Sequence, residues 1–456
     1  MLLIASCYFY MVLVPSYILI LFVLILVDYG AGLYIERSEG KKRKLILVLS
    51  LIANIGMLAF FKYFNFIDDN LATLYHTFGW AYPSHNLSII LPIGLSFHTF
   101  QSMSYTIEVY RGHHKAEYHL GIYALYVLFY PQMVAGPIER PGNLLHQFHE
   151  IRYGHTTTAF EYQRVADGLK LMIWGLFKKV VIADRLSILV DTVYKNPGEH
   201  TGLPLLAATY CFAIQIYCDF SGYSDIALGA AQVMGIKLMT NFNRPYYAKS
   251  ISEFWKRWHI SLSTWFRDYL YIPLGGNRVV TWRWYFNSFF VFLVSGLWHG
   301  ASWAFVVWGG LHGFYLVTSL WTENLRKRVV DFFKLDRMPV LHRYVQIAIT
   351  FHLVLLGWVF FRARTLDDAF YILRHMFDFG GQAHLLSLGL NGTEWIVAIV
   401  AIVIMETVHM MQRRAHVRHV LTAKPAMLRW SLYVATLLFI LVYGKFTSHD
   451  FIYFQF

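Results

Sequence analysis

The chain has 456 residues, of which 57% are hydrophobic and 14% charged. A soluble protein of this length carries about 25% charged residues, so the composition excludes a soluble globular domain and points to a polytopic membrane protein. The net charge of +12 does not indicate nucleic acid, because the Lys and Arg fall in short loops between apolar runs, where they act as an orientation signal.

A membrane-crossing helix needs about 20 apolar residues. In chain order the candidate spans are Pro15 to Ile35, Leu45 to Phe61, Leu87 to Ser104, Leu120 to Val134, Leu169 to Ile188, Leu203 to Cys218, Phe286 to Leu297, Trp303 to Leu320, Val345 to Phe361, Trp395 to Met411 and Leu432 to Tyr443. Met1 to Val14 is apolar but has no basic start and no small-residue cleavage site, so it reads as part of a first membrane segment and not as a signal peptide. The fifth run is interrupted by Lys178-Lys179 and Asp184-Arg185. Several runs are short, which predicts re-entrant or tilted elements. No internal repeat, low-complexity tract or long linker appears, and a single transmembrane domain over 1–456 is expected, ending in an aromatic tail, 447–456.

The basic loop Glu36 to Lys44 predicts a cytoplasmic connection, Asp68-Asp69 an external one and Arg111 to Lys115 a cytoplasmic one. Near the end, Arg326-Lys327-Arg328 reads as inside, Arg362 to Glu394 as outside, Arg413 to Arg429 as inside and the C-terminal tail as extracytoplasmic. The middle of the chain is ambiguous by this rule.

Glu253 to Leu270 has a different pattern. On one continuous helix Trp255, Trp258, His259, Leu262, Trp265, Phe266 and Tyr269 share a face, with Lys256, Arg257, Thr264, Arg267 and Asp268 opposite. Such a helix lies in the interface or lines a cavity. Gly275-Gly276-Asn277 closes the segment with a turn.

His299 stands in Gly296-Leu297-Trp298-His299-Gly300 between two apolar runs. An ionisable group there is costly and is a site hypothesis by default. A neutral imidazole can take a proton from an alcohol or thiol and return one to a leaving group. The alternative is a histidine bonded to a backbone carbonyl in a helix kink. His259 can orient a carbonyl or supply a polar group where oxyanion charge develops, against simple interfacial anchoring. For His312 a packing role is expected.

Asp219-Phe220-Ser221-Gly222-Tyr223-Ser224-Asp225 sets two carboxylates and several hydroxyls at the end of an apolar run. Buried carboxylates need partners, and Arg244, Arg257 and Arg267 are the candidates. Asp219, Ser221, Tyr223, Asp225, Asn243 and Arg267 therefore read as a supporting polar network. The aromatic end Phe451 to Phe456 is expected to dock in a groove or anchor at the outer leaflet, with Tyr453 offering a phenol in the sharper reading. Cys7, Cys211 and Cys218 match no metal, haem or disulfide pattern, and no metal site is expected. Walker, nucleophile-elbow and Cys-x-x-Cys motifs are lacking.

Trp255 to Ser263, Arg267-Asp268-Tyr269, Ile272 to Arg278 and Leu297 to Trp303 together resemble the membrane-bound O-acyltransferases. Asp219 to Asp225, Asn241 to Tyr246 and Ala135-Gly136-Pro137-Ile138 are similar to the alginate O-acetyltransferase-like branch, which is related to the teichoic acid D-alanyltransferase.

The resemblance implies an all-α, polytopic bacterial inner-membrane protein with a ring of roughly eleven helices, short re-entrant segments and a thinned centre reached from both sides. It places the family's nearly invariant histidine on His299, a second polar position on His259 and an acyl relay on Tyr453. Relatives carry a further apolar segment before the stretch matching Leu2 to Leu33, so the family's first helix is expected to be lacking.

The function implied is O-acyl transfer with acetyl-CoA as donor, no bound cofactor and no metal. The acyl group passes to an extracytoplasmic serine-hydrolase-like acetyltransferase that modifies a polysaccharide. The partners are thus membrane lipid, that acetyltransferase, its polysaccharide and, for D-alanyl transfer, an acyl carrier protein. A proton-coupled transporter or flippase of a lipid-linked precursor and an inert scaffold are the alternatives.

Overall fold

Apolar runs bounded by charge become helices along the chain, in a computed structural model that describes residues 1–12, 15–83, 87, 91–134, 136–153, 160–380, 385–412, 424–446 and 451–452. The helices are α1 (Leu2–Met11), α2 (Ile18–Glu36), α3 (Gly40–Thr77), α4 (Leu95–Arg111), α5 (Leu120–Leu128), α6 (Tyr130–Met133), α7 (Pro141–Tyr153), α8 (Tyr162–Leu176), α9 (Asp184–Lys195) and α10 (Leu203–Val233). They continue as α11 (Ile251–Trp255), α12 (Ile260–Phe266), α13 (Thr281–His299), α14 (Trp303–Trp321), α15 (Glu323–Phe332), α16 (Pro339–Arg362), α17 (Leu366–His375), α18 (Gly392–Gln412) and α19 (Ala426–Tyr443). No strand occurs among the described residues, and the all-α membrane class holds. Seven helical stretches among them are long and apolar enough to cross a membrane: Pro15–Glu36, α3, α10, α14, α16, α18 and α19. Leu437, Leu438, Leu441 and Val442 of α19 are exposed, as lipid-facing apolar side chains are.

The chain divides into two compact units that alternate along the sequence. The first comprises 1–169, 227–240 and 267–269, and the second 170–226, 241–266 and 270–456. In the first unit α4 is bounded by two glycines in the left-handed region, Gly94 at φ 74° and Gly112 at φ 75°. Asp28 of α2 is a fully buried carboxylate, and Ser50 Oγ (2.6 Å) and Asn54 Nδ2 (2.9 Å) donate to it. Glu139 is also fully buried and accepts from the Met239 amide and Asn143 Nδ2, each at 2.5 Å.

Three expected elements are broken within their length. The run Leu120 to Val134 breaks at Phe129, because Pro131 has no amide hydrogen and fits only the first turn of a new helix. Leu169 to Ile188 passes through a π-helical stretch, Phe177–Ala183. The continuous helix expected over 253–270 is replaced by α11, a turn, α12 and a π-helical turn at Arg267–Tyr271.

The cause of that last break is backbone pairing with a segment remote in sequence. Ile260 N donates to Asn241 O and Asn243 N to Arg257 O, each at 2.9 Å. These bonds draw 257–260 out of helical geometry and leave His259 at φ 44°. Most of the predicted apolar face survives the break, since Trp255, Trp258, His259, Leu262, Trp265 and Phe266 are all buried, while Tyr269, its last member, is only partly so.

Candidate active site

The second unit gathers both candidate histidines. His299 is the last residue of α13, which ends where Gly300 becomes extended. α14 then packs back on α13 through glycines. A Cβ on Gly296 would lie 3.1 Å from Gly309 Cα, so only small residues allow this approach. The return brings Trp308 of α14 onto His299. The His299 ring is held edge-on by Trp298 (5.0 Å between centroids), Trp308 (5.0 Å) and Phe361 (5.3 Å). Trp298 also meets the His259 ring, at 6.4 Å. One indole therefore touches both imidazoles.

His259 is completely buried, with Phe220 edge-on at 4.6 Å. Asn241 holds it. The Asn241 Oδ1 atom faces His259 Nδ1 at 3.1 Å, the Ser261 amide at 3.3 Å and Ser261 Oγ at 2.9 Å. A backbone amide only donates, so the atom facing it is the oxygen, and His259 Nδ1 must donate to it as well. In the neutral ring the lone pair is then on Nε2. Asn241 Nδ2 donates in turn to Ser224 Oγ at 3.4 Å.

The predicted polar network is partly assembled. Asp219 is buried and pairs with Lys179 Nζ at 2.8 Å, and Lys179 also reaches Asp184 at 2.8 Å. Lys178 Nζ lies 2.7 Å from Asp225 and donates to Ser221 Oγ at 2.8 Å. The counter-charges are thus two lysines of the π-helical stretch and not the arginines expected from the sequence. Gly175 and Gly222 explain the reach: a Cβ on Gly222 would lie 2.8 Å from Gly175 O, so α8 runs hard against α10 just before the lysines.

The three arginines are engaged elsewhere: Arg257 with Glu253 at 2.6 Å, Arg267 with Asp268 at 2.7 Å, and Arg244 with Asn243 Oδ1 and His409 O. Arg267 belongs to the first unit. Asn243 uses its amide on Arg257 O, and it is Asn241, two residues earlier, that meets His259.

Glu253 anchors the start of α11. Burial works to raise its pKa, but the Lys249 amide and the Arg257 guanidinium outweigh burial and hold the carboxyl below its ordinary range.

Tyr453 lies outside the described residues. Of the tail, Phe451 packs on Tyr223 (5.2 Å) and Phe220 (6.0 Å), and the Ile452 amide donates to Asp219 Oδ2 at 2.9 Å. Phe220 is the ring that also packs on His259. Among the described residues no group of three or more His, Cys, Asp or Glu could hold a metal ion. The residues missed from the sequence are Asn241, Lys178 and Lys179. Asn241 opens the motif Asn241-Phe242-Asn243-Arg244, so its position was visible but its partner was not.

The arrangement joins two histidines, one with a defined lone pair, inside an aromatic wall on interrupted helices. It suits proton transfer sheltered from water. A sequence model of the MBOAT, membrane-bound O-acyltransferase family, matches residues 43–363. The chain is 40% identical over 383 residues to a protein of Pseudomonas aeruginosa named "Probable alginate O-acetylase AlgI", covering 83% of this chain and 70% of that one. It is 34% identical over 433 residues to a "Peptidoglycan O-acetyltransferase" of Helicobacter pylori, covering 89% and 79%. A "Teichoic acid D-alanyltransferase" of Streptococcus thermophilus is 28% identical over 317 residues, covering 62% of this chain and 75% of its own length. With most of its length matched by that family, the chain belongs to the membrane-bound O-acyltransferases.

Proposed function

We propose that this multi-pass membrane O-acyltransferase moves an acetyl group from acetyl-CoA at the cytoplasmic side of the bacterial inner membrane to an extracytoplasmic serine-hydrolase-like acetyltransferase, which O-acetylates a polysaccharide of the alginate or peptidoglycan kind. The observation that carries the reading is the shared contact of His259 and His299 with Trp298. Acetyl is preferred to D-alanyl because the relatives named for O-acetylation match 83% and 89% of the chain, against 62% for the D-alanyltransferase.

In this mechanism His299 accepts the proton of the attacking hydroxyl. The hydroxyl oxygen bonds to the thioester carbonyl carbon, the carbon–sulfur bond breaks, and the proton passes to the departing thiolate, giving ester and free CoA. His259 in its Nδ1–H form offers a lone pair and not a donor. Its role thereby narrows to orienting the hydroxyl by accepting a hydrogen bond at Nε2, and the oxyanion role considered from the sequence would require a proton on that nitrogen. The attacking hydroxyl is assigned to Tyr453, on an extracytoplasmic tail. Support comes from Phe451 and Ile452, which dock on Phe220, Tyr223 and Asp219 beside His259.

Replacing His299 with Ala should abolish label transfer from [14C]acetyl-CoA in membranes containing the protein at wild-type abundance. Positioned proton transfer contributes about 10²–10⁴-fold, so transfer within about twofold of wild type refutes the assignment. Movement of a lipid-linked precursor without CoA release would establish a transporter instead.

A further inference from the structure

His312 is the third histidine of the second unit, and nothing in the proposed chemistry uses it. It is fully buried on α14, where the sequence alone suggests packing. Its contacts are specific. Trp255 Nε1 points at His312 Nδ1 at 3.4 Å. An indole nitrogen can only donate, so Nδ1 carries a lone pair and the neutral ring carries its proton on Nε2. An apolar side chain could fill the same volume but could not accept that bond. On the far side α16 seals the ring: a Cβ on Gly357 would come 2.7 Å from His312 Nε2.

Two features make the Trp255 contact consequential. Trp255 is the last residue of α11, a helix of five residues that is too short to hold itself together. From there the chain runs through Lys256, Arg257 and Trp258 to His259, whose φ of 44° costs a non-glycine residue about 1–2 kcal/mol. That turn therefore has to be held from outside. Asn241 holds its far end through His259 and Ile260. His312 holds its near end through Trp255. The same imidazole packs edge-on against Trp308 at 4.9 Å, and Trp308 is one of the rings that clamp His299.

We infer that His312 is a positioning residue for acyl transfer: the lone pair on its Nδ1 holds Trp255, and through Trp255 the turn that presents His259, while its ring braces Trp308 against His299. The inference rests on reading His259 and His299 as the reacting pair.

The test uses the full-length protein in membranes, with [14C]acetyl-CoA as donor and transfer and CoA release as readouts. His312→Leu keeps volume and removes the acceptor. Trp255→Phe keeps an aromatic ring and removes the donor. Each should lower kcat about 10–100-fold, the scale of an ångström-level misplacement, with the KM for acetyl-CoA within about twofold of wild type. The double variant should lose no more than either single one. His312→Asn puts an amide oxygen where Nδ1 stands and should recover most of the rate. Gly357→Ala should impair the wild-type background and be silent in the His312→Ala background, where its methyl group has room.

Wild-type kcat in His312→Leu, additive losses in the double variant, or an Asn variant no better than Leu in a protein of unchanged thermal stability would overturn the inference. Should His312→Leu fail to fold, Trp255→Phe carries the same test. An active His299→Ala variant would remove the site reading itself, whereas an inactive one beside a fully active His312→Leu removes only the role of His312.

Discussion

Asn241→Ala is the sharpest perturbation of the site. It removes one oxygen that accepts from three buried donors: His259 Nδ1–H, the Ser261 amide and the Ser261 hydroxyl. A buried donor left unsatisfied costs about 1–3 kcal/mol. The hydroxyl can rotate toward another acceptor, and the imidazole can move its proton to Nε2. The Ser261 amide loses the acceptor it has in Asn241 Oδ1, so the folded state should lose about 1–3 kcal/mol. The imidazole's escape is what damages function, because it places the proton on the nitrogen assigned to accept from the substrate hydroxyl. Turnover should therefore fall about 10²–10⁴-fold, as for a mispositioned acid–base group. That loss far exceeds what modest destabilisation produces in a protein that still folds. The assay is label transfer from [14C]acetyl-CoA at temperatures well below the melting point, alongside thermal unfolding in detergent. Wild-type turnover with the expected drop in stability would show that the His259 tautomer is irrelevant to the reaction.

Two further predictions concern charge. Lys179→Met removes the cation shared by Asp219 and Asp184 and should cost about 3–5 kcal/mol, as when one partner of a buried ion pair is removed. Asp219→Asn leaves Lys179 still paired with Asp184 and should cost clearly less; equal losses by denaturant unfolding would contradict this network. Glu139 is shifted the opposite way from most paired carboxylates. Burial pushes its pKa up to about 7, against the lowering effects of the Met239 amide and Asn143. Between its ordinary value of about 4.5 and 7 the folded chain keeps a proton that the unfolded chain has released, so stability should fall as pH rises through that window. Glu139→Gln should flatten that part of the pH–melting curve, and an unchanged slope would exclude Glu139 as its source.

The membrane class and the burial of the two histidines could be read from the sequence because both depend on local cost. Long uncharged runs have few alternatives to a spanning helix, and α14, α16 and α18 each begin and end within a few residues of their apolar runs. The break at 256–259 was hidden by its own pattern. Trp255, Trp258, His259 and Leu262 share a helical face whether or not the helix is continuous, and the pairing with 241–243 that interrupts it comes from a distant stretch. Lys178 and Lys179 read as defects in a span because a one-dimensional scan weighs charge against burial. In three dimensions they are the counter-ions that make burial of Asp219, and partial burial of Asp225, possible. α3 runs on to Thr77, well past the apolar stretch that ends at Phe61, and Asp68 in that extension is buried and accepts from the Tyr82 hydroxyl at 2.9 Å, so its charge does not end the helix.

Both candidate histidines stand where helices stop, His299 at the end of α13 and His259 between α11 and α12. In a membrane protein this is a demanding place to build, because each interrupted helix frees backbone groups that lipid cannot satisfy. Here the freed groups are met from inside: the Ser261 amide by the Asn241 side chain, the Ile260 amide by the Asn241 carbonyl, and the Arg257 carbonyl by the Asn243 amide. The same asparagine that satisfies the backbone also sets the His259 tautomer. Structural repair and chemical poise thus depend on one side chain, and this coupling is why Asn241→Ala should depress turnover far more than stability. A continuous helix through 253–270 would have avoided the backbone cost altogether, but it would have kept His259 out of the left-handed turn in which Asn241 and Trp298 now hold it.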